Sequence, residues 1–310
     1  MVEPYRGHSQ NALDRHNPTV PKTARQLFMA LSHTATNKLE QLFGGLPRPA
    51  RLFVLTGAGC STPSGIPDYR DTEGKWKRSP PMHLPEFLSN EHARQRYWAR
   101  SMAGWRSFHA ARPNAVHRSL AQLEASGNCK TLVTQNVDGL HQRAGSQEVI
   151  DLHGRLDQVL CLDCGHKVPR EHVQDALIEQ NPDWHYVVSQ IAPDGDVDLD
   201  QVDYASFEAP GCSLCRGRLK PDVVFFGENV PKLRVERALQ ALDAADALLV
   251  VGSSLMVYSG FRYARAAATA TKPILIINQG QTRADDLADL KLNVDAGHGL
   301  DSLHDALAKT

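Results

Sequence analysis

Four short aliphatic runs punctuate an otherwise mixed chain: Arg51–Thr56, Lys130–Thr134, Ala247–Val251 and Pro273–Ile277. None alternates apolar with polar positions. Near-continuous Val/Ile/Leu runs of this length predict strands buried on both faces, as in a parallel sheet. Between and after them lie helical patterns, among them Pro231–Ala244 and Gly260–Thr271. Alternation of strands and helices predicts an open α/β sheet. Two stretches break the alternation. Residues 80–128, rich in Arg, Trp and Ala, read as helices with no intervening strand, and residues 158–219 carry paired cysteines. Both read as insertions forming a smaller domain, one helical and one metal-binding. The sheet domain then comprises 25–79, 129–157 and 220–310, preceded by a polar arm at 1–24.

Each strand ends in small or polar residues. Arg51–Thr56 runs into Gly57-Ala58-Gly59-Cys60-Ser61, and Lys130–Thr134 into Gln135-Asn136-Val137-Asp138. Ala247–Val251 runs into Gly252-Ser253-Ser254, and Pro273–Ile277 into Asn278-Gln279-Gly280. Ligands of open α/β sheets bind at the carboxyl ends of the strands, so these termini point to a nucleotide site. The first turn resembles a dinucleotide loop, in which glycines admit a phosphate to the backbone and a following helix offers its N–H groups. Its match to the glycine fingerprint is incomplete, because Thr62 stands at the last glycine position. The Gln135–Asp138 amides and carboxylate suit ribose hydroxyls and a carboxamide; the plainer reading is a helix cap. His153-Gly154, after a short apolar stretch, has the reference basicity of a general base or else a structural role.

Composition narrows the class. The 310 residues include 34 Lys+Arg against 35 Asp+Glu, a net charge of −1, and are 42% hydrophobic. That balance fits a globular protein and argues against bulk electrostatic binding of nucleic acid. No apolar run reaches the ~20 residues of a bilayer span. The first 40 residues lack the apolar segment of a secretory signal and read as a solvated arm leading to a first helix, with a transit peptide as the alternative. Of six cysteines, four form Cys161-x-x-Cys164 and Cys212-x-x-Cys215. This double spacing predicts one closed four-thiolate zinc site of structural type, in a reducing compartment. The run Asp194–Asp203 fails the calcium-loop pattern, with Leu199 at the turn position and Ala205 at the bidentate position, and reads as a solvated loop.

The ordered set Gly57–Ser61, Gly65-Ile66-Pro67-Asp68-Tyr69-Arg70, Gln135–Asp138 with Leu140-His141, His153-Gly154, the two cysteine pairs, Lys220–Glu228, Gly252–Leu255 and Asn278 resembles the sirtuins. The blocks span about residues 50–280. Arg96-Tyr97-Trp98-Ala99-Arg100 and the long metal-domain insertion resemble the class II branch. One departure is Tyr69, where Phe is common; it keeps an aromatic lid and adds a hydroxyl. The resemblance implies an NAD-dependent protein-lysine deacylase of deacetylase type, which transfers the acyl group from lysine to ADP-ribose and releases nicotinamide. The alternative within the branch is a lipoamidase or mono-ADP-ribosyltransferase.

Residue by residue, the resemblance has Gly57, Ala58, Gly59 and Ser61 cradle the phosphates of NAD, the cosubstrate. Ile66, Asp68, Asn136 and Asp138 surround the nicotinamide carboxamide and the nearby ribose. Ser253, Asn278 and the backbone at Gln279 and Ala296 hold the adenosine half, and Tyr69, Arg70, Gln135, Val137, Gly252, Ser254 and Gly280 complete the NAD-binding set. His153 is the general base, with Asn136 beside it. Val224, Phe226, Gly227 and Glu228 border the acyl-lysine tunnel, and the peptide lies as a strand between Phe226–Asn229 and Leu255–Tyr258. Partners are then acyl-lysine proteins or peptides, with no direct nucleic-acid or membrane contact and an open oligomeric state. The expected location is the cytoplasm, with the mitochondrial matrix as the alternative. Two other classes share part of the pattern. A hydride-transferring dehydrogenase explains the sheet but not the cysteine pairs or Phe225-Phe226-Gly227-Glu228. A silent binding module leaves His153 and Asn136 without a purpose.

Overall fold

The computed structural model describes residues 37–77, 81–184, 191–197, 199 and 202–309. The arm expected at 1–24 and part of the acidic run, including Asp198 and Asp200, lie outside them. The strands are β1 (Leu52–Thr56), β2 (Cys129–Thr134), β3 (Val149–Asp151), β4 (Gly154–Cys161), β5 (Lys167–Pro169), β6 (Leu219–Val223), β7 (Ala247–Val251), β8 (Ile274–Ile277) and β9 (Leu290–Leu292). Residues 37–43 form helix α1. The other helices are α2 (Leu84–Ser89), α3 (Glu91–Ala110), α4 (Ala115–Ala125), α5 (Leu140–Arg143), α6 (Arg170–Gln180), α7 (Lys232–Asp243), α8 (Tyr258–Thr269) and α9 (Ala296–Lys309).

The large sheet is parallel in the order β3-β2-β1-β7-β8-β9, and the four aliphatic runs are its central strands. Its two ends, β3 and β9, are three residues each, too short to leave a periodic signal in the sequence. Every residue of β1, β7 and β8 is buried because each strand is covered twice. On one face Val54, Leu132, Leu249 and Leu275 meet Leu39 and Phe43 of α1, Leu120 of α4 and Leu300 and Leu303 of α9. On the other, Phe53, Leu55, Val133 and Val250 meet Leu242 of α7 and Tyr263, Ala264 and Ala267 of α8. Each such aliphatic side chain withdrawn from water contributes about 1.5–3 kcal/mol. The chain reverses direction of sheet growth between β1 and β7, and this switch point is where the open sheet offers a crevice.

The second module is an antiparallel sheet, β5-β4-β6, covered by α3 and α6. Its core holds Trp98, Phe108, Val159, Leu177 and Phe207. Of the helices expected over 80–128, α3 supplies this core. The last, α4, packs on the large sheet, because its Val116, Leu120 and Leu123 face α9 and β2. The loop around Gly195 crosses α3 at Gly104, where a side-chain carbon would come within 2.1 Å of the Gly195 carbonyl oxygen. That crossing buries Gly195 and Val197, so the start of the acidic run is packed rather than solvated.

Candidate active site

One cavity of about 540 Å³ opens at the switch point and runs between the two modules. The ends of β1, β2, β7 and β8 form its floor. Gly57 and Gly59 let two of these ends meet. A side-chain carbon on Gly57 would lie 2.7 Å from Ser253 Cβ, and one on Gly59 would lie 2.9 Å from the Gly252 carbonyl oxygen. The backbones instead bond directly, with Gly59 N donating to Gly252 O at 2.9 Å. The helix expected after this turn is absent. Residues 58–60 and 62–64 make two successive 3₁₀ turns, stopped by Pro63, left-handed Gly65 and Pro67. Asn114, which caps α4, fastens the loop by donating from Nδ2 to Cys60 O at 2.8 Å and Ser64 Oγ at 2.9 Å.

A polar network joins the ends of β1 and β2. Asn136 Nδ2 donates to Gly57 O at 3.0 Å and Ser61 Oγ at 3.1 Å. Ser61 Oγ donates in turn to Asp138 Oδ2 at 2.6 Å, while Asp138 Oδ1 accepts from Leu140 N at 2.8 Å across the turn at Gly139, the cap position of α5. Burial pushes the Asp138 carboxyl above its ordinary range despite these donors.

His153 lies at the turn between β3 and β4. Its Nδ1 is 2.9 Å from the carbonyl oxygen of Gln135 and its Nε2 is 2.8 Å from Ser259 Oγ. A carbonyl only accepts, so Nδ1 carries the hydrogen and Nε2 keeps a lone pair. Burial, then the positive charges of Arg234 and Arg262, push the imidazole down to about 4 even though the Gln135 bond opposes them. The ring is therefore neutral at pH 7 and able to take a proton at Nε2.

The outer wall is aromatic. Tyr69, Trp76 and Phe226 sit edge to face, with centroids 5.6–6.3 Å apart. Arg70 stacks on Trp76 at 4.0 Å and donates to Gly74 O at 2.8 Å. Asp68 is paired with Lys77. Val224, Gly227 and Glu228 also line the cavity, but the Glu228 carboxylate is occupied by Phe225 N at 2.9 Å and Lys220 Nζ at 3.1 Å and holds the turn. Ala58, Ile66, Gln135, Val137, Ser254, Asn278, Gln279 and Ala296 are on the lining as expected. Gly280 is not. It sits with φ +87 against Thr72, where a side-chain carbon would lie 2.5 Å from the carbonyl oxygen, and serves packing.

Sequence reasoning left out several lining residues: Trp76, Asp194, Asp196, Ser259 and Arg262. Trp76 and Ser259 adjoin motifs in the chain and were within reach of the pattern. Asp194 and Asp196 arrive from the second module through the Gly104 crossing, which leaves no local signal.

Away from the cavity the four paired cysteines converge. Their sulfurs lie within 4.8 Å of one another, with Cys161–Cys215 at 3.5 Å and Cys164–Cys212 at 3.8 Å. Tetrahedral zinc with ~2.3 Å bonds spaces thiolates by about 3.8 Å, so the four sulfurs fit the ion. Four thiolates close the coordination shell, and such a zinc braces the module without reaching the cavity.

A parallel sheet with a strand-end nucleotide crevice, a buried neutral histidine and a zinc-type knuckle defines a nucleotide-dependent enzyme with a substrate cleft between two modules. The Sir2 family matches residues 57–259, and the chain belongs to that family. It is 60% identical over 245 residues to NAD-dependent protein deacetylase 2 of Bradyrhizobium diazoefficiens, a match covering 79% of this chain and 90% of that one. It is 55% identical over 288 residues to the NAD-dependent protein deacetylase of Xanthomonas campestris pv. campestris, covering 91% and 98%. Among solved structures it is similar to a Sir2–p53 peptide–NAD⁺ complex, with TM-score 0.66 and 30% identity over 84% of this chain and 94% of that one.

Proposed function

We propose that this protein is an NAD-dependent protein-lysine deacetylase that transfers the acyl group from lysine to ADP-ribose and releases nicotinamide. The observation that carries the reading is His153. It is a neutral histidine on the cavity lining, its Nε2 keeps a lone pair facing the Ser259 hydroxyl, and the Asn136–Ser61–Asp138 network lines the same cavity. NAD, as cosubstrate, supplies an electrophilic ribose carbon. The chain supplies the rest. Gly57, Ala58, Gly59 and Ser61 receive the phosphates; Asn136 and Asp138 hold the nicotinamide half; Ser253 and Asn278 hold the adenosine half. His153 removes a proton from a ribose hydroxyl so that this oxygen can take the acyl group. The Tyr69–Trp76–Phe226 wall excludes loose water, which would otherwise hydrolyse the activated sugar. An acyl-lysine peptide lies between the segments Phe226–Asn229 and Leu255–Tyr258, adding a strand.

No helix among the described residues is long and apolar enough to cross a membrane. A cytoplasmic location is supported by four thiolates held for a metal and by bacterial relatives of high identity. The test is nicotinamide release with an acetyl-lysine peptide, run with wild type and His153→Ala. Release should track deacetylated peptide in the wild type, and the variant should lose ~10²–10⁴ in deacetylation rate, as general-base loss does. Modified protein without deacetylated peptide would favour ADP-ribosyl transfer instead. Near wild-type turnover in the variant would remove His153 from the chemistry.

A further inference from the structure

The reading of His153 as base leaves one contact unused: the hydroxyl of Ser259, 2.8 Å from Nε2, the atom that must take the proton. We infer that Ser259 is a positioning residue, whose hydroxyl holds the His153 imidazole with Nε2 toward the cavity and then accepts the hydrogen bond from Nε2–H once the base has taken its proton. This rests on the assignment of His153 as the base and adds a residue that the assignment does not require.

Three independent features of the fold support it. First, Ser259 is the second residue of α8, yet its hydroxyl does no capping. The cap position is Val257, whose carbonyl takes the N–H groups of Gly260 and Phe261 at 3.1 Å each. Second, Ser259 is 9% exposed and lines the cavity, so its hydroxyl is withdrawn from bulk water and aimed at the ring. Third, the next residue is a glycine for a steric reason. A side-chain carbon on Gly260 would lie 2.2 Å from Gln135 Oε1. The first turn of α8 therefore presses on the same residue whose carbonyl holds Nδ1. Gln135 is itself fixed, its N–H bonded to Thr56 O at 3.0 Å and its amide to Ser253 Oγ at 3.1 Å. The His153 backbone is fixed too, with its carbonyl accepting from Val224 N at 2.7 Å. What remains is rotation of the ring, and the Gln135 carbonyl and Ser259 hydroxyl pin it at both nitrogens.

A hydroxyl suits both protonation states. In the resting enzyme it donates to the neutral Nε2 lone pair. During acyl transfer the ribose hydroxyl displaces it there; the ribose O–H bond breaks and an Nε2–H bond forms. The serine hydrogen then turns away and Oγ accepts from the imidazolium. No proton is gained or lost by serine, and no other reactant is needed.

The experiment uses the full chain with wild type, Ser259→Ala, Ser259→Thr and His153→Ala, each checked for folding by thermal melting. Two rates are measured with saturating acetyl-lysine peptide: deacetylation, and exchange of labelled nicotinamide into NAD. Exchange reports the first displacement, which moves no proton to His153. Ser259→Ala should lower deacetylation kcat ~3–10-fold, the worth of one hydrogen bond, with a clearly smaller fall in exchange and little change in KM for NAD. Ser259→Thr, which keeps the hydroxyl, should recover most of the loss. Equal falls in the two rates, a wild-type rate in Ser259→Ala, or a Thr variant no better than Ala would each overturn the inference. If His153→Ala deacetylates normally, the base assignment fails and this inference falls with it. If His153→Ala is dead while Ser259→Ala is normal, Ser259 alone is wrong.

Discussion

Lowering the pH from 7 to 5 should weaken the folded state through its buried histidines. His117 and His153 are both pushed down to about 4, in each case mainly by burial. His141, whose ring centroid is 4.8 Å from that of His117, lies well below its usual value for the same reason. In the unfolded chain these groups titrate near 6.5. The fold therefore favours the neutral rings. Their contribution is complete above pH 6.5 and is lost as acid charges the unfolded chain first, down to the folded value near 4. Between pH 7 and 5, linkage gives about 2 kcal/mol for each of His117 and His153. The assay is urea unfolding at the two pH values for wild type and His117→Gln. The variant is destabilised at both, but its loss between pH 7 and 5 should be smaller than wild type's by about 2 kcal/mol. Protonation of the zinc thiolates or carboxylates acts on both proteins and cancels in the comparison. Equal losses in the two proteins would refute the claim that His117 is held neutral by burial.

Two further outcomes follow from close approaches. Gly59→Ala places a carbon 2.9 Å from the Gly252 carbonyl and must part the ends of β1 and β7; we expect about 1–3 kcal/mol of destabilisation from overpacking and a raised KM for NAD, with an unchanged KM arguing against the phosphate loop. Cys212→Ser should lose zinc by elemental analysis and melt at lower temperature, because metal-binding energy is folding energy at such sites; a full equivalent of zinc in the variant would exclude Cys212 from the ligand set.

The central sheet was legible because β1, β2, β7 and β8 are covered on both faces and so read as unbroken aliphatic runs. Strand ends followed from the same logic, since a parallel sheet brings every carboxyl end to one edge. The cysteine pairs were legible because thiolate spacing is a local property. What was not legible depends on contacts between distant segments. The edge strands β3 and β9 carry too few residues for a period. The 3₁₀ path after Gly57 is interrupted locally by Pro63 and Gly65 but is fastened by Asn114, some fifty positions away in the chain. Gly280 looked like its neighbours Asn278 and Gln279, and only its approach to Thr72 separates it from them.

The acidic run is the sharpest case, and it bears on acyl choice. By composition Asp194–Asp203 suits a solvated loop. In the fold, Gly104 lets that loop lie on α3, and Asp194 and Asp196 reach the cavity wall beside Tyr97. Tyr97 and Arg100 share one helix face at the spacing that would suit an acidic acyl group, so Arg100 is the residue that decides. Its guanidinium is 2.9 Å from Asp196 Oδ2 and also bonded to the Val197 carbonyl. A carboxylate on the acyl chain would have to displace Asp196 and accept the neighbourhood of Asp194, a like-charge cost on the order of 1 kcal/mol in a partly wet cleft. Acetyl-lysine peptide should therefore be turned over several-fold faster than succinyl-lysine peptide at equal concentration. Asp196→Asn, which frees Arg100 and removes one negative charge, should narrow the gap. A succinyl preference in the wild type that disappears in Arg100→Met would mean that Arg100 leaves Asp196 for the substrate, and the ion pair would then be a gate rather than a wall.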